Sequence, residues 1–233
     1  MSSPSVREGV TSRNWSSLVV RRLFGLFSVG VTAVRRLVSF SVAELSLPDL
    51  VRNRTMSAEI AATLERTAGQ RRSFLVIALP RMAGKSTVGK AMLAVARRAK
   101  YPIRELGEDG TDVAALAREA RGGYLYVPEV SRYPVAAGYV WGAPVRAAFA
   151  AIKDGTSLST ALHADSAEDA LRILRANRVP ADDLVRLELI VHLRSLGDDW
   201  QSPTRRVVAD VHAHGPKGLR LLHRWDEKTD TFE

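Results

Sequence analysis

The stretch that most constrains this chain is the junction between residues 73–79 and residue 84. Residues 73–79 (SFLVIAL) carry no charge and no polar alternation, the pattern of a strand buried on both faces. Five residues further on, Gly84, Lys85, Ser86 and Thr87 open a stretch with helical spacing, in which Val88, Met92, Val95 and Ala96 share one face. A buried strand that runs through a short loop into a helix N-terminus aims backbone N–H groups at whatever fills the loop. The helix dipole favours an anion there.

The junction fits the phosphate-loop pattern G-x-x-x-x-G-K-[ST] at all but one fixed position, the first, where Leu79 stands in place of glycine. Residues Pro80, Arg81, Met82, Ala83, Gly84, Lys85, Ser86 and Thr87 are therefore expected to cradle a nucleotide's phosphates. In that arrangement the Lys85 ammonium reaches the β- and γ-phosphates, and Ser86 offers its hydroxyl to Mg2+. Arg81 brings an additional cation into the loop, and Leu79 with Pro80 must make the strand-to-loop turn without a glycine.

Downstream, strand and helix patterns alternate. Helices are predicted over 57–69, 85–99, 111–120, 143–153 and 166–177, the last opened by Ser166 with Asp169 in capping-box spacing. Strands are predicted over 73–79, 102–105, 123–128, 157–162 and 187–193. Two more, 204–213 and 219–225, are joined by a turn over His214–Gly218. This order implies an α/β fold: a mainly parallel sheet flanked by helices, with a C-terminal β-hairpin.

Composition removes several chemistries. The chain has no cysteine, which excludes disulfides, thiolate metal sites and thiol nucleophiles. The net charge of +9 is concentrated at the start, where residues 1–43 hold six arginines and one acid. The body is only mildly basic and has no block of cations interleaved with aromatics, so specific nucleic-acid binding is not expected. The first 55 residues form a basic, apolar leader in which the run Leu23–Val34 is about half the roughly 20 residues of a membrane span. A disordered or misassigned leader with the real start at Met56, and peripheral attachment to a membrane with arginines snorkelling, both stay open. The body then runs over 56–233 as one nucleotide-binding domain.

Two polar residues further along sit at strand ends. Glu129 closes the strand over 123–128, where an acid can order the Mg2+ shell or activate water. His163 follows the strand over 157–162 and precedes the helix cap at Ser166, which places it near the γ-phosphate. With these residues in view, DGTSLSTALHADSAEDALRIL resembles the histidine box of the type II/type IV secretion and type IV pilus motor ATPases. YLYVPEVSR is similar to their acidic box, with Glu129 on the glutamate, and LPRMAGKST to their phosphate loop. The closing segments from Arg205 resemble the hairpin that ends their motor domain.

The resemblance covers about residues 72–233. It implies a RecA-like core, ATP and Mg2+ as cofactors, and homo-hexameric rings in the cytoplasm doing mechanical work on secretion or pilus components at the inner membrane. It gives Glu129 and His163 catalytic roles, as base and γ-phosphate sensor, and sets Ser86 and Glu129 at the metal. The chain departs from the family at Leu79, Met82 and Pro128, each of which stands where the family has glycine. Glu108 and Asp109 are poor substitutes for its aspartate box, and Ser131 takes the place of an arginine. Two other functions therefore stay open. One is a nucleotide-binding assembly partner that does not hydrolyse. The other is a small-molecule kinase, since the loop is also similar to that of shikimate kinase.

Overall fold

Two serines start the folded body. Ser46 accepts from the Asp49 N–H while the Asp49 carboxylate takes the Ser46 N–H at 2.8 Å, a reciprocal cap for helix α1 (Leu47–Arg52). Ser57 caps α2 (Ala58–Gly69) by accepting from the Ile60 N–H. Leu47, Leu50 and Met56 are buried together with Ile60 and Leu64 of α2 and Val88 and Met92 of α3 (Lys85–Arg98). Residues 44–55, grouped by sequence with the leader, thus pack on the body, and the unit begins at Glu44.

The computed structural model describes residues 44–79, 81–107, 112–133, 138–199 and 201–233. The expectations for residues 1–43, Pro80, Glu108 and Asp109 lie outside these. Among the described residues no helix is long and apolar enough to cross a membrane.

The strands are β1 (Phe74–Ile77), β2 (Ile103–Glu105), β3 (Tyr124–Val130), β4 (Tyr139–Val140), β5 (Ser157–Leu162), β6 (Leu189–Leu196), β7 (Arg205–Gly215), β8 (Gly218–Asp226) and β9 (Thr231–Phe232). They join in the order β2-β3-β5-β1-β6-β7-β8-β9, with β4 on the end of β3. Pairing is parallel from β2 to β6 and antiparallel from there to β9. The expected α/β fold is what the structure has. The β7–β8 hairpin is longer than expected: Gly215 pairs with Gly218, whose φ of 85° lets Pro216 and Lys217 alone close the turn.

Both faces of the parallel part are covered, which explains the unbroken apolar run of β1. Phe74 and Val76 face α2 and α3, where Tyr124, Tyr126 and Val191 join them. Leu75 and Ile77 face the opposite way. There they meet α4 (Val113–Glu119), α5 (Ala143–Ala150) and α6 (Ala167–Ala176) through Ala117, Phe149, Leu171 and Leu174. A 3-10 turn (Ala151–Asp154) follows α5, and a short α7 (Ala181–Leu184) leads to β6. Ser166 caps α6 as expected, accepting from the Asp169 N–H at 3.1 Å.

Pro128 lies inside β3, not at its end. A proline has no N–H for the ladder, and the pairing of β3 with β5 slips between Val127 and Val130. The extra residue returns Val130 to the face of Leu125 and Val127. Glu129 is thereby turned to the side of α3.

Because α1 is part of the core, Leu50→Ala is expected to lower the unfolding free energy by about 2–5 kcal/mol in urea melts. Leu45→Ala, at a side chain 39% exposed just ahead of the helix, should change it by less than about 1 kcal/mol.

Candidate functional site

The C-terminal ends of β1, β3 and β5 meet the start of α3. Gly84, at φ 96° and ψ 10°, turns the loop into the helix, a conformation that any side chain would strain. No side chain caps this helix and no acid lies in its first turn. The helix itself provides no partner for its first N–H groups, which suits it to receive an anion. Met82 also has a positive φ, 63°, which costs a residue with a Cβ about 1–2 kcal/mol. Its side chain is 62% exposed and gains little packing in return.

Lys85 is 7% exposed and Glu129 4%. Nζ of Lys85 lies 3.8 Å from Oε2 of Glu129. It is also 3.4 Å from Nε2 of His163, and that nitrogen is 3.9 Å from Oε1 of Glu129. Nδ1 of His163 bonds the Leu79 carbonyl at 2.9 Å. Because a carbonyl only accepts, Nδ1 carries the proton and the neutral ring keeps Nε2 as an acceptor toward Lys85. The structure thus brings together Lys85 from the start of α3, Glu129 from β3 and His163 from just past the end of β5. β3 is not the neighbour of β1, as an acid beside the loop would suggest. β5 lies between them and inserts His163 into the gap.

Burial sets the electrostatics. It pushes the Glu129 carboxyl up to about 7, against the pull of Lys85 and Arg81. It also lowers the Lys85 ammonium, with Glu129 opposing and Arg81 adding to the effect. His163 is lowered by burial, although its bond to the Leu79 carbonyl works the other way. Oε1 of Glu129 is buried with no hydrogen-bond partner. A buried carboxylate oxygen without a donor is what a hydrated cation or a water would satisfy. With the exposed Ser86 at the head of α3, the residues present fit a magnesium-bound phosphate group.

Arg81, Met82, Ala83, Gly84, Ser86 and Thr87 line one cavity of about 630 Å3 together with Lys85, Glu129 and His163. The remaining loop residue expected at the phosphates, Pro80, is not among those described. The cavity extends to Leu50, Asn53 and Thr55 on and after α1, and to Arg205 and Arg206 at the start of β7. Sequence reasoning missed all five. They come from segments at both ends of the body, and no motif marks where a hairpin strand will pass the loop. Arg206 donates from Nε to the Met82 carbonyl at 2.7 Å. A second hollow of about 560 Å3 opens past Arg81 and His163, floored by Val130, Leu162 and Ile173. Arg132 covers the Trp141 ring there at 4.9 Å.

The raised carboxyl of Glu129 gives stability a pH signature. The folded state keeps this proton up to about 7, whereas the unfolded chain loses it near 4.5, so the Glu129 contribution falls as pH rises through that window. His163 and His223, both lowered by burial, act in the opposite sense near their ordinary value. The readout is therefore a difference. The stability of Glu129→Gln relative to wild type should grow from near zero at pH 4.5 to an advantage on the order of 1–3 kcal/mol at pH 8, measured by urea melts.

No protein-family model matches the chain, and no curated protein sequence matches it. Solved structures do. The VirB11 ATPase of the Brucella suis type IV secretion system, in complex with sulphate, aligns at 15% identity and a TM-score of 0.43 over 96% of this chain and 66% of its own. The Legionella pneumophila ATPase DotB aligns at 15% identity and a TM-score of 0.51 over 75% of this chain and 52% of its own. The chain therefore spans just under two thirds of the length of the first and about half that of the second. What the chain shares with DotB is its fold, an α/β phosphate-loop domain with a mainly parallel sheet.

Proposed function

We propose that this chain binds ATP with Mg2+ at the loop Pro80–Thr87 and hydrolyses it as a subunit of a motor-type ring. The observation that carries the reading is the convergence of Lys85, Glu129 and His163 within 3.4–3.9 Å around the mouth of the loop. A phosphate-binding lysine, a buried acid and a histidine from an interposed strand are the parts that triphosphate cleavage needs.

In this reading the N–H groups at the start of α3 hold phosphate oxygens, and Lys85 exchanges its contact with Glu129 for the β- and γ-phosphates. Ser86 and Glu129 would hold the magnesium and its water shell. Bound with ATP, the ion supplies charge neutralisation at the phosphates. Glu129 accepts a proton from the attacking water, whose oxygen bonds to the γ-phosphorus as the bond to the β–γ bridging oxygen breaks, leaving ADP and phosphate. A carboxyl near neutrality is suited to that transfer. His163, held by the Leu79 carbonyl, faces the γ-phosphate and reports its presence to β5. A homo-hexameric assembly, a cytoplasmic place at the inner membrane and service to a secretion or pilus machine extend the same reading.

A second reading is a nucleotide-gated assembly partner without turnover. It is favoured by the positive φ of Met82 and by Leu79 at the strand exit, since a strained loop aligns phosphates less well.

Lys85→Ala is expected to weaken ATP binding by about 10–100-fold in a calorimetric titration, the loss of one charge-assisted contact. Glu129→Gln should leave binding within about threefold and slow phosphate release by about 100-fold or more. Phosphate release that is unchanged in both variants would rule out hydrolysis at this site. Binding in wild type with turnover at background would favour the second reading. Mass in solution should rise to that of a hexamer on adding ATP.

A further inference from the structure

We propose that Arg206 is a positioning residue for the nucleotide, holding the phosphate loop in a shape that the loop's own sequence does not favour. The proposal rests on the nucleotide reading for its ligand. Its observations are independent of the Lys85–Glu129–His163 cluster.

Met82 is held at φ 63°, a conformation that glycine adopts freely and methionine does not. Its exposed side chain makes no compensating burial, so the constraint comes from outside the residue. Arg206 supplies it. Its Nε donates to the Met82 carbonyl at 2.7 Å, a short bond with a charged donor. Its Cδ lies 3.3 Å from where a Cβ on Gly84 would stand, so the side-chain stem also fills the space beneath the second left-handed residue of the loop. One side chain therefore braces both Met82 and Gly84.

The brace is itself anchored. Arg206 pairs with Ser195 across β6–β7, inside the antiparallel part of the sheet. Its neighbour Arg205 bonds the Asp230 carboxylate at 2.6 Å and the Arg54 carbonyl at 3.1 Å. Among the described residues no carboxylate lies within ion-pair distance of Arg206, so its charge is not spent on an acid. The side chain lines the same cavity as Lys85 and Thr87. Its positive charge and its bond to the loop thus act on the same anion, the first through space and the second through the position of the loop N–H groups.

The two effects separate in a double-mutant cycle with Met82→Gly, because a glycine at position 82 removes the strain that the brace offsets. Binding of a fluorescent ATP analogue would be titrated for wild type, Arg206→Ala, Arg206→Lys, Met82→Gly and the Met82→Gly/Arg206→Ala double variant, with thermal melts confirming folding. Arg206→Ala should weaken binding about 10–100-fold in the wild-type background and about threefold or less in the Met82→Gly background. Arg206→Lys, which keeps the charge and a donor, should fall between. Equal losses in both backgrounds, or none in either, overturn the proposal. Hydrogen exchange over Arg81–Lys85 in the absence of nucleotide is the second readout: it should be faster in Arg206→Ala than in wild type, and no difference also overturns the proposal. If wild type binds no ATP but exchange responds to Arg206, the nucleotide reading fails and the brace stands.

Discussion

Burying the ammonium of Lys85 beside the carboxyl of Glu129 is the constraint to which the surrounding structure answers. Neither charge is well solvated, and burial drives the acid up and the amine down toward a neutral pair. Such a pair survives in a folded protein only where the geometry around it is fixed. The sheet fixes it from three sides: β1 delivers the loop, β5 places His163 against both partners, and β3 brings the acid. In the proposed function, an incoming triphosphate would offer Lys85 a stronger partner and free the carboxylate of Glu129.

The aim of Glu129 depends on a residue that looks like a defect. In an uninterrupted strand, side chains alternate, and Glu129 would share the face of Val127 and point into the apolar layer under α5 and α6. The slip of register at Pro128 adds one residue and reverses this. Glycine at that place would permit a bulge, whereas proline enforces one by withholding an N–H from the ladder. The proline therefore sets the direction of the acid.

Much of this was legible in the sequence, and the missing part has a common cause. The alternation of β and α segments, the loop from Arg81 to Thr87 and the strand-end positions of Glu129 and His163 all rest on local spacing, which the chain writes plainly. The order β3-β5-β1 is not local, so the place of β5 between its neighbours was invisible although all three strands were expected. Helix α1 is only six residues long and lies beyond an apolar leader, so its capping box at Ser46 and Asp49 was passed over for the longer helical pattern over 57–69. Arg205 and Arg206 read as ordinary strand-start cations, because nothing within the hairpin shows that it passes beneath the loop.

That passage makes the hairpin part of the site. Arg205 and Arg206 are adjacent on a strand and so point to opposite faces. One ties the strand to the turn after α1 and to Asp230 near the C-terminus, and the other ties it to the loop. If the loop accepts phosphates as proposed, a shift of it would be passed through these bonds to β7, and from there to the antiparallel edge of the sheet and to the α1–α2 turn. The parallel half of the sheet, packed on both faces, has little freedom to follow. Under that proposal, motion driven at the loop would be directed toward the antiparallel, hairpin side of the sheet.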